Sequence, residues 1–265
     1  MALRIDDLDG VALLTLENAE RMNSFDPGFL SEMRGVVADL LERPDVGGIV
    51  LTGSGRAFSA GADVAEFRRS NEEGTTTDWI LGATEHLHPM LRDLHASAKP
   101  FVAAVNGVAA GGGLGLALAA DARIGSPAAR FAAGYFGIGA SPDGGATWFL
   151  PRIIGLQRTR RFFLDNEVMD ADTAHGLGLL DEVVEPERLV GHAVETCRRW
   201  TRWAPHSVES SKRLLAASLQ NDLQTQLDLE RGLIAAAGGT RDFREGVASF
   251  LEKRTPAFGR RVMNQ

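Results

Sequence analysis

At 265 residues, with 44% hydrophobic and 7% aromatic side chains, the chain is long enough for one large globular domain with an ample core. A net charge of −7 without a dominant basic stripe excludes nucleic acid as a general partner, while local Arg and Lys groups leave room for a phosphorylated ligand. The lone cysteine, Cys197, excludes an intramolecular disulfide framework and a Cys-rich zinc site; it reads as a buried filler, and no metal is expected.

The first residues, Met1-Ala2-Leu3-Arg4-Ile5-Asp6-Asp7, lack the apolar stretch of a signal peptide, so a cytoplasmic protein is expected. Residues 11–16 and 48–52 are short apolar runs bounded by turn formers, the pattern of buried strands. Between them Phe29, Leu30, Met33, Val36, Val37, Leu40 and Leu41 follow helical spacing that Pro44 closes. The second strand runs into a glycine turn, Gly53-Ser54-Gly55-Arg56-Ala57-Phe58-Ser59-Ala60-Gly61-Ala62-Asp63-Val64, that leads into a helix-like segment. Small side chains at 59–62 leave the backbone open to a ligand, and Asp63 can cap or brace the loop. The acidic, Thr-rich patch at 71–78 reads as a mobile surface loop.

Residues 101–105 and 122–125 supply further strands, and strand alternating with helix implies a largely parallel sheet. The stretch from 101 to 120 also has the length of a membrane span. Its Ala and Gly content, Asn106, and three adjacent glycines argue instead for a buried core segment. Gly111, Gly112 and Gly113 open the backbone to close approach, and a helix beginning there would turn its N–H groups and positive dipole end toward a negative oxygen. Two such turns after parallel strands lie near the carboxyl edge of the sheet, where ligands bind in open α/β folds. Beyond 155 helical stretches follow at 187–203, 207–220, 222–237 and 241–253, the last with Thr240 placed as its cap. So apolar a tail needs a surface, either its own core or a neighbouring subunit.

Phe58-Ser59-Ala60-Gly61-Ala62-Asp63, Asn106-Gly107-Val108-Ala109-Ala110-Gly111-Gly112-Gly113, Pro142-Asp143-Gly144-Gly145 and Glu252-Lys253-Arg254-Thr255-Pro256-Ala257-Phe258 stand in that order. Together they resemble the crotonase superfamily of enoyl-CoA hydratases and isomerases over essentially the whole chain. The resemblance implies an α/β fold, a crotonase-like spiral of ββα units over 1–200, with a helical region at 201–265 that builds trimers, often paired as hexamers. It also implies an acyl-CoA thioester whose carbonyl sits between the N–H groups of Ala62 and Gly112. CoA arrives with the substrate, so no separate cofactor is expected, nor nucleic acid or membrane. Ala60, Asp63, Val64, Tyr135 and Phe136 are implied around the substrate. Arg56 and Lys253, the latter from an adjacent subunit, are implied near the CoA phosphates. Asn106 reads as a structural hydrogen-bonding residue, and Ala65 stands where the family often has a lysine.

Hydratases of the superfamily carry two glutamates, and here those positions hold Gly115 and Tyr135. Neither activates water as a carboxylate would. The remaining acid is Asp143, which from its Pro-Asp-Gly setting alone reads as a turn or helix cap. The resemblance gives it a second role. The run through Thr147-Trp148-Phe149-Leu150-Pro151-Arg152 is similar to the phenylacetate-pathway ring-epoxide isomerases, which use an aspartate here as a proton shuttle. The implied function is an acyl-CoA isomerase that shifts a double bond or rearranges a ring-derived acyl group through a thioester enolate. Two alternatives stand beside it. In a halobenzoyl-CoA dehalogenase or hydrolase, Asp143 would be the nucleophile and His88, twelve residues before Pro100, the base, unless His88 is an ordinary helix residue. A non-catalytic acyl-CoA binder would need neither glutamate.

Overall fold

The computed structural model describes residues 2–259. The chain opens with β1 (Ala2–Asp7) and β2 (Val11–Glu17), an antiparallel hairpin, and continues through α1 (Pro27–Glu42), β3 (Gly48–Gly53) and β4 (Ala57–Ser59). Next come α2 (Val64–Glu73), α3 (Thr76–Ala96), β5 (Phe101–Val105), β6 (Val108–Ala110) and α4 (Gly112–Leu118). β7 (Ala122–Gly125), β8 (Arg130–Ala132), α5 (Ala146–Ile154), α6 (Leu156–Leu164), β9 (Val168–Asp170), α7 (Ala171–Gly176) and β10 (Glu182–Val183) complete the core. Four helices end the chain: α8 (Pro186–Trp200), α9 (Pro205–Ser218), α10 (Leu223–Gly238) and α11 (Arg241–Leu251).

Two sheets form. A six-stranded sheet has the order β1-β2-β3-β5-β7-β10 and is parallel from β2 onward. A four-stranded sheet has the order β4-β6-β8-β9, with only β9 antiparallel. The pairs β3–β4, β5–β6 and β7–β8 each lay one strand into each sheet before helix returns the chain, which is the expected ββα spiral. Both faces of the larger sheet are covered. Leu14, Leu16, Ile49, Leu51, Phe101 and Ala103 face α1 and α3, while Val11, Val50, Val102 and Ile124 pack against Leu189, Ala193 and Val194 of α8. This double burial explains why these strands read as continuous apolar runs rather than alternating ones.

The 101–120 stretch is core, as expected: β5 and α4 are buried throughout, and among the described residues no helix is long and apolar enough to cross a membrane. The segment at 71–78 is not a mobile loop. Gly74, at φ +70°, ends α2 in the left-handed conformation, the Thr75 N–H returns to the Ser70 carbonyl at 2.8 Å, and α3 starts at Thr76. A single glycine C-cap thus turns one helix directly into the next.

The last three helices contrast with the rest. α9 and α10 bury no side chain within the chain, and α11 buries only Ser249. Leu215, Leu223 and Phe250 are 71%, 74% and 84% exposed. Thr240 caps α11 as expected, accepting the Phe243 N–H at 3.0 Å. α9 is tied to the core by Lys212, whose ammonium donates to the Asp121 carboxylate at 2.9 Å and the Leu94 carbonyl at 3.2 Å.

Candidate active site

The turn after β4 is held by main chain from the preceding loop. Phe25 forms a parallel bridge with Ala62: its N–H donates to the Gly61 carbonyl at 2.9 Å, and its carbonyl accepts the Asp63 N–H at 3.2 Å. Because extended backbone alternates direction, the N–H of Ala62 is turned to the opposite side, and it meets no protein acceptor among the described residues. That side faces the second glycine turn. A Cβ placed on Gly61, at φ +82°, would lie 2.7 Å from the Ala110 carbonyl oxygen and 2.9 Å from the Gly112 nitrogen. Only glycine allows the two turns to touch here.

Gly112 is the first residue of α4, so its N–H has no intrahelical acceptor. The neighbouring Gly111 N–H is already donated to the Ala133 carbonyl at 3.3 Å. The Ala62 and Gly112 amides thus stand on two turns in contact, and neither meets an acceptor among the described residues. Two fixed N–H groups of this kind suit an oxygen that gains charge during reaction, with each such donor typically worth ~2.7–4 kcal/mol in the transition state.

The acid lies beside this pocket. Gly144 packs on α4, its built Cβ falling 3.5 Å from both the Gly112 and Gly115 Cα atoms. Conversely, a Cβ on Gly115 would lie 2.3 Å from the Gly144 carbonyl oxygen. The Asp143-Gly144 turn thus occupies the space into which a side chain at 115 would project. Asp143 does not cap α5, whose cap residue is Gly145 with no side-chain hydrogen bond. Its Oδ1 instead accepts the Tyr135 hydroxyl at 2.8 Å. Burial, the Asp143 charge and this hydrogen bond all raise the Tyr135 phenol far above its ordinary value, so it remains a protonated donor.

The other expected residues divide between structural and exposed positions. Asn106 is structural: it accepts the Gly53 N–H at 3.1 Å and donates to the Gly55 and Ala57 carbonyls, both at 3.0 Å. Asp63 caps α2 through the Ala65 N–H at 2.9 Å and pairs with Arg21 at 2.8 Å. Burial would raise its carboxyl, but the Ala65 N–H and the Arg21 guanidinium outweigh it and hold the group below the usual carboxylate range. Ala60 is half-buried beside these turns, while Arg56, Val64, Phe136 and Lys253 are exposed. His88 is on the exposed side of α3, whereas its neighbour Leu87 is the α3 residue that reaches Gly112. Cys197 is buried under β3 and β5, and burial pushes its thiol up to about 12, which leaves it inert at neutral pH. Among the described residues no group of three or more His, Cys, Asp or Glu could hold a metal.

Sequence reasoning missed Asn23 and Phe25. Asn23, fully buried at φ +52°, donates to the Ser54 and Ala57 carbonyls and so holds the β3–β4 turn. The only signal is an Asn-Ser pair just before the helix-starting Asp26-Pro27.

The enoyl-CoA hydratase/isomerase family model matches residues 6–261. The 1,2-epoxyphenylacetyl-CoA isomerase of Escherichia coli K12 is 38% identical over 253 residues, 94% of this chain and 95% of the relative. The short-chain-enoyl-CoA hydratase of Clostridium acetobutylicum is 33% identical over 92% of both chains. An enoyl-CoA hydratase crystal structure from Polaromonas sp. JS666 superposes with a TM-score of 0.89 at 29% identity, covering 97% of this chain and 99% of that one. Family match, long similar relatives and the paired amide turns agree: the chain belongs to the enoyl-CoA hydratase/isomerase family, with the crotonase fold.

Proposed function

We propose that the protein is an acyl-CoA isomerase in which the Ala62 and Gly112 amides hold the thioester oxygen and Asp143 carries the proton. The observation that carries this reading is the packing of the Asp143-Gly144 turn onto Gly115, where the two-glutamate hydratases of the family place an acid. Of the two carboxylates next to these turns, Asp63 is engaged by the Ala65 N–H and Arg21, while the one side-chain hydrogen bond of Asp143 among the described residues is to a neutral tyrosine. A single acid can take a proton from the α carbon while the thioester becomes an enolate, then return a proton to the γ carbon. Hydration needs one group to activate water and another to protonate carbon. The E. coli relative, named as an isomerase of a ring-derived acyl-CoA, supports the same direction.

Arg56 and Lys253 are proposed for the CoA phosphates, as exposed cations on surface turns. The uncovered apolar side chains of α9 to α11 support assembly as trimers and hexamers, in which Lys253 would serve a neighbour's site. A hydrolytic route through an Asp143 ester would require a base there, and His88 faces outward.

A panel of 3-enoyl-, 2-enoyl- and aryl-CoA esters tests the reading. The expected result is interconversion of 3-enoyl- and 2-enoyl-CoA, or rearrangement of a ring-derived ester, with solvent deuterium entering the α and γ carbons. Asp143→Asn should lose ~10²–10⁴-fold in turnover while still binding the ester. Retained turnover in that variant, hydrated products alone, or an ester trapped on Asp143 would overturn it.

A further inference from the structure

The two oxygens of the Asp143 carboxylate have unlike surroundings. Oδ1 accepts the Tyr135 hydroxyl at 2.8 Å, and that hydroxyl also lies 3.2 Å from the Asp143 carbonyl oxygen. Among the described residues no hydrogen bond reaches Oδ2, and no cation pairs with the group. The helices packed around the turn add no competing charge. α4 carries no titratable side chain. In α5 the only charged residue, Arg152, donates to the Trp148 carbonyl at 2.8 Å and lies 3.9 Å over the Trp148 ring. Tyr135 is itself immobilised. It is 7% exposed, and its carbonyl accepts the N–H groups of Ile138 and Ala140 at 3.1 and 3.0 Å.

We propose that Tyr135 is a positioning residue, its hydroxyl holding Oδ1 so that Oδ2 is the single oxygen that takes the α proton and returns it to the γ carbon. The inference rests on the isomerase reading and specifies how its acid works. Oδ2 removes the proton from the α carbon, and the C–H electron pair moves into the thioester carbonyl, leaving negative charge on the oxygen between the Ala62 and Gly112 amides. As the pair flows back, the Oδ2 proton passes to the γ carbon and the double bond moves from β,γ to α,β. Nothing is oxidised or reduced, and the carboxylate is regenerated. A single mobile oxygen on one side of the substrate confines transfer to one face and lets part of the original proton return.

Tyr135→Phe tests this while keeping the ring. Turnover should fall about tenfold with KM little changed, the scale of one hydrogen bond to a charged group. Carry-over of an α-deuterium label to the γ carbon should fall as well, because either oxygen could then act. Since Tyr135 is the only tyrosine in the chain, 3-fluorotyrosine enters at one site and offers a second readout that does not depend on the variant folding. The more acidic phenol is a stronger donor, so turnover and label carry-over should be kept or raised rather than lowered. The fluorine resonance should shift in Asp143→Asn, which replaces the acceptor of the phenol's hydrogen bond. A folded Tyr135→Phe enzyme with wild-type turnover and label carry-over would overturn the proposal, as would a fluorine signal indifferent to Asp143. If Asp143→Asn stays active, the isomerase reading itself falls; if it is dead while Tyr135→Phe is unchanged, only the positioning role falls.

Discussion

The two halves of the site are built from different materials. The proposed oxyanion pocket is main chain: two amides, at Phe25's bridge and at the start of α4, on turns where glycine allows backbone to meet backbone. The acid corner is side chain: Asp143 and Tyr135, joined by one hydrogen bond across an irregular segment. A main-chain device tolerates many substitutions around it but almost none at its glycines. A side-chain device can be exchanged without moving the backbone. In the proposed reaction, the charge on the thioester oxygen would be held in the first half, and the choice of reaction would lie in the second.

Gly115→Glu should produce the largest effect. Restoring an acid at this position drives a Cβ to within 2.3 Å of the Gly144 carbonyl, so both halves of the site must separate. The expected outcome is loss of isomerisation with no hydration gained and a lowered Tm, read by both assays and by thermal unfolding. A folded variant that hydrates 2-enoyl-CoA would show that the acid corner is not what excludes a glutamate.

Gly61→Ala should come next. Its φ of +82° is strained for any residue with a side chain, and its Cβ would press on Ala110 and on the Gly112 amide itself. Displacing one donor should lower kcat by ~10²–10³-fold. The Tyr135–Asp143 hydrogen bond should remain, since it shares no atoms with this turn. Retained turnover would mean the two amides do not act as a pair.

A smaller effect, on the other half, is spectroscopic. Burial first, then the Asp143 charge, hold the Tyr135 phenol above its ordinary value of about 10. Alkaline titration of the folded protein should therefore show no tyrosinate absorbance through that range. Asp143→Asn removes the second cause but not the first, so ionisation should begin at lower pH than in the parent while staying above the ordinary value. A tyrosine that titrates normally in the folded parent would break the acid corner as described.

Legibility in the sequence follows the same division. β2, β3, β5 and β7 are readable because both sheet faces are covered and the strands become unbroken apolar runs. α1 and the four C-terminal helices are readable from period and caps, although Pro205 at the first position starts α9 at 205 rather than 207. β9 and β10, of three and two residues, are too short for any period to register. In the proposed site, glycine spacing and a family likeness point to the two amides. The Tyr135–Asp143 bond cannot be read this way, because the seven residues between them follow a one-turn helix and a left-handed glycine rather than a repeating geometry. The Phe25 bridge is equally silent, a single residue joined to a turn far along the chain.

Asp63 offers the finest test of the contrast, because it adjoins the oxyanion turn without belonging to it. It caps α2 and pairs with Arg21, a side chain left 59% exposed, so the ion pair is weak and the cap carries most of its effect. Asp63→Ala should cost about 1 kcal/mol of stability, and Asp63→Asn, which keeps a capping oxygen, only a fraction of that. The folded carboxyl lies below its unfolded value, so its contribution is present above that unfolded value, about 3.9, and is lost as pH falls through the folded one. The Tm gap between parent and Asp63→Ala should accordingly be full near neutrality and narrow below about pH 4. Turnover should fall far less than in Gly61→Ala, because Phe25 still pins the segment through the Gly61 carbonyl and the Asp63 main-chain N–H, neither of which the side chain supplies. A loss of turnover equal to that of Gly61→Ala would mean that the cap, rather than the main-chain bridge, aims the Ala62 amide.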